Sequence, residues 1–237
     1  MPSDVAKFMT DKTRATERER ILHLTAARDL KLYAASHGAR LLITDPELDL
    51  DGYDFAMSSE FESVYVQSKA TLKKGGARSW DVRAALLKPS FYNRDLIPAL
   101  DGYTAWGMGI GGDGGVLLHV VDQEASNLKD LRIEYRYLDV FWLIAVAIGA
   151  TMRSARSRSR ALALLRQIRD AETNDKIKLK FGDFARLPSV ESLAALRLHI
   201  GVNSNWASIG RFKKELTDPS PLPEPVRLIW PGIQAVL

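Results

Sequence analysis

The chain has 237 residues and carries 33 Lys and Arg against 29 Asp and Glu, a formal net charge of +4. It contains no cysteine, which excludes a disulfide framework, a thiolate zinc site and a cysteine nucleophile. The positive charge is compatible with a polyanionic partner but is far from the strongly basic pattern of a dedicated, charge-driven binder. Length and composition predict one large globular domain, or one domain with a small appendage.

The N-terminal part predicts a mobile arm over residues 1–12, followed by a helix. Thr16 and Glu19 form the S/T-x-x-E capping-box pattern that satisfies free backbone donors at a helix start. Gly38 supplies the stop, because glycine accepts the left-handed conformation past a helix end. No apolar segment with a cleavage site is visible here, so we expect a cytoplasmic protein.

A hairpin is predicted next, with strands at residues 54–57 and 61–69 around a turn near Ser59. Side chains alternate between the two faces of a strand, so Gln67 and Lys69 share one face. A turn centred near Ser59 places Asp54, at the start of the first strand, roughly opposite Tyr65 and diagonal to Gln67. The pattern therefore predicts that the carboxylate, the amide and the ammonium converge.

The segment Asp51-Gly52-Tyr53-Asp54, followed by Val66-Gln67-Ser68-Lys69, resembles the PD-(D/E)XK nuclease superfamily. The similarity is closest to Mrr-type and Holliday-junction-resolvase-like members, which carry a G-x-D turn and a Q-x-K strand, and it covers roughly residues 14–90. It implies a restriction-endonuclease-like α/β fold, in which a mixed β-sheet core is flanked by helices.

By this resemblance Asp54 is a metal-binding aspartate, Gln67 stands where most members have an acidic ligand, and Lys69 is the catalytic lysine. The implied activity is that of a magnesium-dependent endodeoxyribonuclease of a defence or mobile element, working with Mg²⁺ or Mn²⁺, and a homodimer is compatible with it. Carboxylate and amide oxygens are ligands that a hard cation prefers, and the metal activates water for phosphodiester hydrolysis.

Other glutamates are available as further ligands in this interpretation. Glu17 or Glu19 on the first helix could complete the metal shell, while Glu60 and Glu62 near the hairpin turn are reserve ligands only. Two alternatives stay open. In the first, the hairpin is a solvated surface element without a catalytic role. In the second, the chain is a catalytically inactive nuclease-fold module that binds nucleic acid or a protein partner.

The expected organisation is an α/β core at residues 1–150 and a C-terminal part at residues 151–237. A single domain that contains both parts is the alternative. The apolar run 140–152 is shorter than the ~20 residues that a membrane span needs, so we expect buried core and no membrane partner. The C-terminal part is predicted to be helical and irregular, with a proline-rich segment at residues 218–225. It opens on a basic cluster.

Arginine guanidinium groups suit phosphate because their planar fork donates two hydrogen bonds at once. Nucleic-acid contact, with DNA favoured over RNA, and a solvated helix start are both compatible with this basic cluster. The candidate nucleic-acid-binding residues are Arg153, Arg156, Arg158 and Arg160.

Overall fold

The computed structural model describes a mixed α/β protein. The described residues are 3–36, 38, 40–45, 52–58, 63–88, 114–124, 128–147, 149, 151, 153–172 and 174–194. The helices are α1 (Asp4–Thr10), α2 (Ala15–Ser36), α3 (Ala84–Leu87), α4 (Val140–Ala147), α5 (Ala155–Asp170) and α6 (Glu191–Ala194). The strands are β1 (Leu42–Thr44), β2 (Phe55–Ser58), β3 (Ser63–Leu72), β4 (Ser79–Arg83), β5 (Gly115–Val121), β6 (Ile133–Asp139), β7 (Lys176–Lys180) and β8 (Ala185–Leu187).

Six strands form the main sheet, in the order β1-β2-β3-β5-β6-β8. The β3–β5 pair is parallel and the other neighbours are antiparallel, so the sheet is mixed. Strand β5 is buried along its whole length, as expected for a central strand covered on both faces. Strands β4 and β7 form a separate antiparallel pair. The expected α/β class with a mixed sheet flanked by helices is confirmed.

Helices α1 and α2 cover one face of the main sheet, which we call the helix face. Helix α2 buries Leu22, Ala26 and Leu30 at helical spacing, and its His23 ring contacts the Phe55 ring with a centroid distance of 5.0 Å. Side chains one residue further along each strand point the other way. That opposite face carries Gln67 and Lys69, and we call it the site face.

The β4–β7 pair lies on the site face. Arg136 occupies the same register row as Lys69, through Leu118 on the strand between them. Its guanidinium carbon lies 4.1 Å from the centre of the Phe181 ring, directly after β7. The buried side chains Val82 and Leu179 of this small sheet belong to the main hydrophobic core. Both faces of the main sheet are therefore covered.

The predicted mobile arm is wrong. Residues 4–10 form α1, which Ser3 caps by accepting a hydrogen bond from the Ala6 N–H at 3.2 Å. Its apolar residues Val5 and Phe8 are buried in a cluster with Val121. Seven residues are too few to form a stable helix alone, so only packing against the sheet, which the local pattern did not reveal, stabilises this segment.

The next boundary and the hairpin register also differ from expectation. Helix α2 begins at Ala15 directly after a 3₁₀ turn, so Thr16 lies inside its first turn instead of capping it. In the hairpin Ala56 pairs with Tyr65, where Asp54 was expected. The register is shifted by two residues, which preserves the faces because the side-chain period of a strand is two.

Both sheets combine strands from before and after residue 150, since β7 pairs with β4 and β8 with β6. The expected apolar core segment forms α4, whose residues 142–146 are buried. Among the helices that the structure describes, none is long and apolar enough to cross a membrane. Glu60, Glu62 and the proline-rich segment 218–225 lie outside the described residues.

Candidate functional site

The candidate site lies where β3 changes neighbours. Val66 is the last residue of β3 that pairs with β2, opposite Phe55, and the first that pairs with β5, opposite Gly115. Beyond Val66, one edge of β3 continues along β5, while the opposite edge has lost its β2 partner. Backbone groups on this second edge are therefore open to another hydrogen-bond partner.

Asp54 supplies that partner. Its backbone N–H donates to the Val66 carbonyl at 2.9 Å, which holds the residue beside β3. Its carboxylate then accepts a hydrogen bond from the Ser68 N–H at 2.5 Å. Ser68 lies between Gln67 and Lys69 in sequence, so the carboxylate is fixed at the stretch of β3 that carries both predicted partners.

Gln67 contributes a buried acceptor. Its Oε1 atom is inaccessible to solvent and accepts no hydrogen bond in the described part of the chain. A buried carbonyl oxygen without a donor costs about 1–3 kcal/mol of desolvation, so such atoms are rare unless a ligand, ion or water completes them. This oxygen has the chemistry of a cation ligand.

Lys69 shares the site face with Gln67 and is half-buried. Within the described residues its ammonium makes no hydrogen bond or ion pair. The ammonium is therefore free to meet an anion at this end of β3.

The sequence did not single out Ser68, which holds the site together from both sides of the strand. Its N–H binds the Asp54 carboxylate, and its hydroxyl oxygen lies 2.8 Å from His119 Nε2 on the helix face. Burial lowers the pKa of His119 to about 3, with a smaller contribution from the charge of His23, so the imidazole is neutral. The pair anchors β3 to β5 beneath the site.

The four candidate nucleic-acid-binding arginines divide into two groups. Arg153 donates to the Phe184 carbonyl at 3.2 Å, and burial lowers the pKa of its guanidinium. Arg160 bonds the Asp183 carboxylate at 3.2 Å and the Lys178 carbonyl at 2.9 Å. Both side chains therefore bind other parts of the folded chain.

Arg156 and Arg158 are exposed on the first turns of α5. The described residues provide no hydrogen bond or ion pair for either guanidinium. Of the basic run, only these two side chains are available to a partner.

The helix glutamates do not join Asp54 and Gln67. Glu17 forms an exposed bidentate pair with Arg14, at 2.7 and 2.8 Å. Helix α2 packs on the helix face, while Gln67 and Lys69 are on the site face. Within the described residues, no group of three or more His, Cys, Asp or Glu side chains could hold a metal ion. The protein oxygens assembled at the site are one carboxylate and one amide.

This set of oxygens is small but suits magnesium better than zinc. Magnesium commonly keeps several waters and binds through one or two protein oxygens together with substrate phosphate. Zinc favours nitrogen and sulfur ligands in closed tetrahedral sites, which the described residues do not form here. Asp54 and Gln67 would hold the cation, and water and substrate would occupy its remaining coordination positions.

Comparison with known proteins adds no assignment to this geometry. No family model, no curated protein and no solved structure matches the chain.

Proposed function

We propose that the chain is a metal-dependent nuclease that hydrolyses DNA phosphodiester bonds. The observation that carries the proposal is the buried Gln67 Oε1 atom, which has no donor in the described structure and belongs to the stretch of β3 bound by the Asp54 carboxylate. A divalent cation bound at this stretch would give the buried amide oxygen the partner that it lacks in the described structure.

The fold is compatible with the proposal at the coarse level. A mixed sheet with helices on its faces, and a hairpin with Gln67 on β3 and Asp54 directly before β2, agree with the arrangement that the resemblance to PD-(D/E)XK nucleases implies. The finer restriction-endonuclease-like fold is part of what we propose.

The side chains divide the proposed reaction between them. Asp54 and Gln67 bind the cation, whose chemistry when bound is to lower the pKa of a water and to neutralise charge on the phosphate. Lys69 orients the attacking water and donates hydrogen bonds to the oxygens on which negative charge develops.

The first test removes the charge of each group while preserving its shape. Asp54→Asn keeps an oxygen that can accept from the Ser68 N–H, and Lys69→Met keeps the aliphatic stem, so both variants should fold. We expect both to lose magnesium-dependent cleavage of plasmid and branched DNA. Lys73→Met, at the exposed end of the same strand region, is the matched control and should cleave normally. Undiminished cleavage by both site variants would contradict the proposal.

One observation favours the second function, a nuclease-fold module without catalysis that binds nucleic acid or protein. Within the described residues no group of three or more His, Cys, Asp or Glu side chains could hold a metal ion, and the neutral Gln67 amide holds a cation less strongly than a carboxylate would. Calorimetric titration with Mg²⁺ and Mn²⁺ separates the two functions. If the wild-type chain binds neither cation and cleaves no DNA, the module replaces the enzyme.

A further inference from the structure

The outer face of the β4–β7 sheet carries a regular row of lysines. Along β7, Ile177 and Leu179 are buried, while Lys176, Lys178 and Lys180 point outward and are exposed. We call these three residues the lysine row. Alternate residues of a strand are about 6.6–6.8 Å apart along the backbone, so the row presents three lysine side chains from evenly spaced positions on one face.

The neighbouring strand places one basic, one acidic and one neutral residue opposite the row, so it does not change the row's net positive charge. Arg83 pairs with Lys176, Asp81 with Lys178 and Ser79 with Lys180. None of the three lysines forms an ion pair within the described residues, although Asp81 is directly opposite one of them. The three lysine side chains are therefore available to an anionic partner.

The row leads to the candidate site. Arg83, at the end of β4, lies against Gly52, where an added Cβ would come 2.8 Å from the Arg83 Cδ atom. Gly52 has a φ of 75°, a conformation that favours glycine, and precedes Asp54 by two residues. The end of the sheet marked by Arg83 and Lys176 therefore adjoins the turn that carries the proposed metal ligand.

We propose that the lysine row binds the sugar–phosphate backbone of DNA beside the scissile bond, a step that rests on the proposed function for the identity of the partner. A duplex carries one phosphate charge per about 1.7 Å of helix axis, counting both strands, so three flexible lysine side chains on one exposed face can each contact a phosphate. Contacts of this kind position the duplex without reading its sequence.

A purely structural role for the row is the competing explanation. Lysines on edge strands prevent one sheet from pairing with another, and both strands of the β4–β7 pair have an edge. That role requires only that charge be present on the strand. It predicts aggregation when the lysines are lost, and no change in DNA affinity.

The test measures DNA binding by full-length protein in EDTA, so that cleavage plays no part. A variant with Gln at positions 176, 178 and 180 is compared with one that carries Gln at Lys7, Lys12 and Lys31, three exposed lysines of the N-terminal region. Both variants lose the same charge. Fluorescence anisotropy of a labelled duplex is recorded from roughly 50 to 200 mM salt, the range over which phosphate contacts change affinity most.

We expect the slope of log affinity against log salt to fall by about 0.9 for each lost phosphate contact, hence by 2 to 3 in the row variant. The control variant should keep the wild-type slope. Lys178→Gln alone should reduce the slope by about 1 and gives the same information if the triple variant aggregates. An equal loss in both triple variants, or no loss in the row variants, overturns the proposal.

The outcomes separate the row from catalysis. If Asp54→Asn and Lys69→Met abolish cleavage while the row variants bind DNA with the wild-type slope, the proposed nuclease activity is supported and the proposed DNA contact of the lysine row is overturned. If neither wild type nor any variant cleaves DNA but the row variants lose DNA binding, the proposed DNA contact of the lysine row is supported and the proposed nuclease activity is overturned. Binding of poly-glutamate, an acidic peptide, is measured in the same way. If the row variants lose binding to poly-glutamate but still bind DNA like wild type, the row binds an acidic protein and the proposal is overturned.

Discussion

Gln67 shows how a single side chain can carry functional information that stability does not explain. Its buried, unpartnered oxygen is a cost to the folded state, and an apolar side chain of similar size would avoid that cost. Sites that sacrifice stability in this way are common where a ligand completes the missing interaction.

Replacing Gln67 with Leu therefore has opposite expected effects on stability and activity. The free energy of unfolding should be unchanged or rise by about 1 kcal/mol, because a buried unsatisfied oxygen is removed. Magnesium binding and DNA cleavage should be lost. Urea denaturation and calorimetry measure the two effects, and Gln67→Glu, which restores a carboxylate ligand, should bind Mg²⁺ more tightly than wild type. Full activity of the Leu variant would contradict the assigned role.

His119 makes the stability of the protein depend on pH. The pKa of its buried imidazole is about 3 in the folded chain, well below the ordinary value of 6.5. Between these two values the unfolded chain binds a proton that the folded chain does not, so stability falls as pH decreases through this window. From pH 7 to pH 5 the loss from this group is about 2 kcal/mol.

The expected result is a smaller loss of stability over this pH range in His119→Gln than in wild type, measured by urea denaturation at both pH values. The comparison uses the difference between pH 7 and pH 5, so a general destabilisation of the variant does not affect it. His23→Gln serves as a second histidine variant in the same comparison, because His23 is partly exposed and its Nε2 atom lies 3.0 Å from the Asp45 carboxylate. Equal losses in wild type and His119→Gln would contradict a neutral buried imidazole.

At the scale of elements, α1 is the clearest difference between sequence and structure. Its polar start and short length indicated a mobile arm, yet Phe8 is only 3% exposed and packs against the end of β5 through Val121. The periodicity of seven residues is too brief to identify a buried face. Contact with a distant strand decides whether such a segment is ordered.

Phe8→Ala tests the packing of α1. We expect a loss of about 3–5 kcal/mol in the free energy of unfolding, because a large buried ring is replaced by a cavity. Leu24→Ala, on α2, removes an apolar side chain that is 50% exposed and should cost little. If the two variants are equally stable in urea denaturation, the segment is not part of the cooperative fold.

The basic helix α5 shows why a local charge pattern is ambiguous. Arg153 and Arg160 follow the same spacing as Arg156 and Arg158, but they bond backbone carbonyls and Asp183 in the packed structure. The partners come from segments some 20 to 30 residues further on in the chain, as these bonds span 18 to 31 positions. A phosphate contact and a packing contact use the same guanidinium groups, so the run of arginines predicts neither.

At the scale of the whole molecule, the two sheets join the N-terminal and C-terminal halves. Strand β8 completes the main sheet beside β6, and β7 pairs with β4 across more than ninety positions of sequence, from Ser79 to Lys180 at one end. Phe184 and Leu187 from the second half are buried in the main core. The fold therefore depends on contacts of high sequence separation.

A fragment that ends at residue 150 should accordingly fail to fold cooperatively. It would leave β4 and β6 without their partner strands and would expose the core side chains that α5 and β7 cover. Circular dichroism during urea denaturation of the fragment and of the full chain measures this. A sharp transition in the fragment, with the stability of the full chain, would show that residues 1–150 are an independent domain.

The α/β class was expected from the resemblance to PD-(D/E)XK nucleases, whereas the local sequence was enough to predict the long α2 helix, the hairpin and the shared face of Gln67 and Lys69. These features follow from side-chain periods of 3.6 and 2 residues and from turn residues, which act between near neighbours. The two-residue error in the register left the faces unchanged for the same reason. The identity of Asp54 as the residue beside β3 also followed from the hairpin.

Only the tertiary structure decided which polar groups are free and which are used. The contact of Ser68 with both Asp54 and His119, the burial of Gln67 Oε1, the packing of Arg153 and the lysine row beside Arg83 all depend on strands that are distant in sequence. A side chain's chemistry depends on its burial and its partners. Those are set by which elements pack together, and no local pattern contains that information.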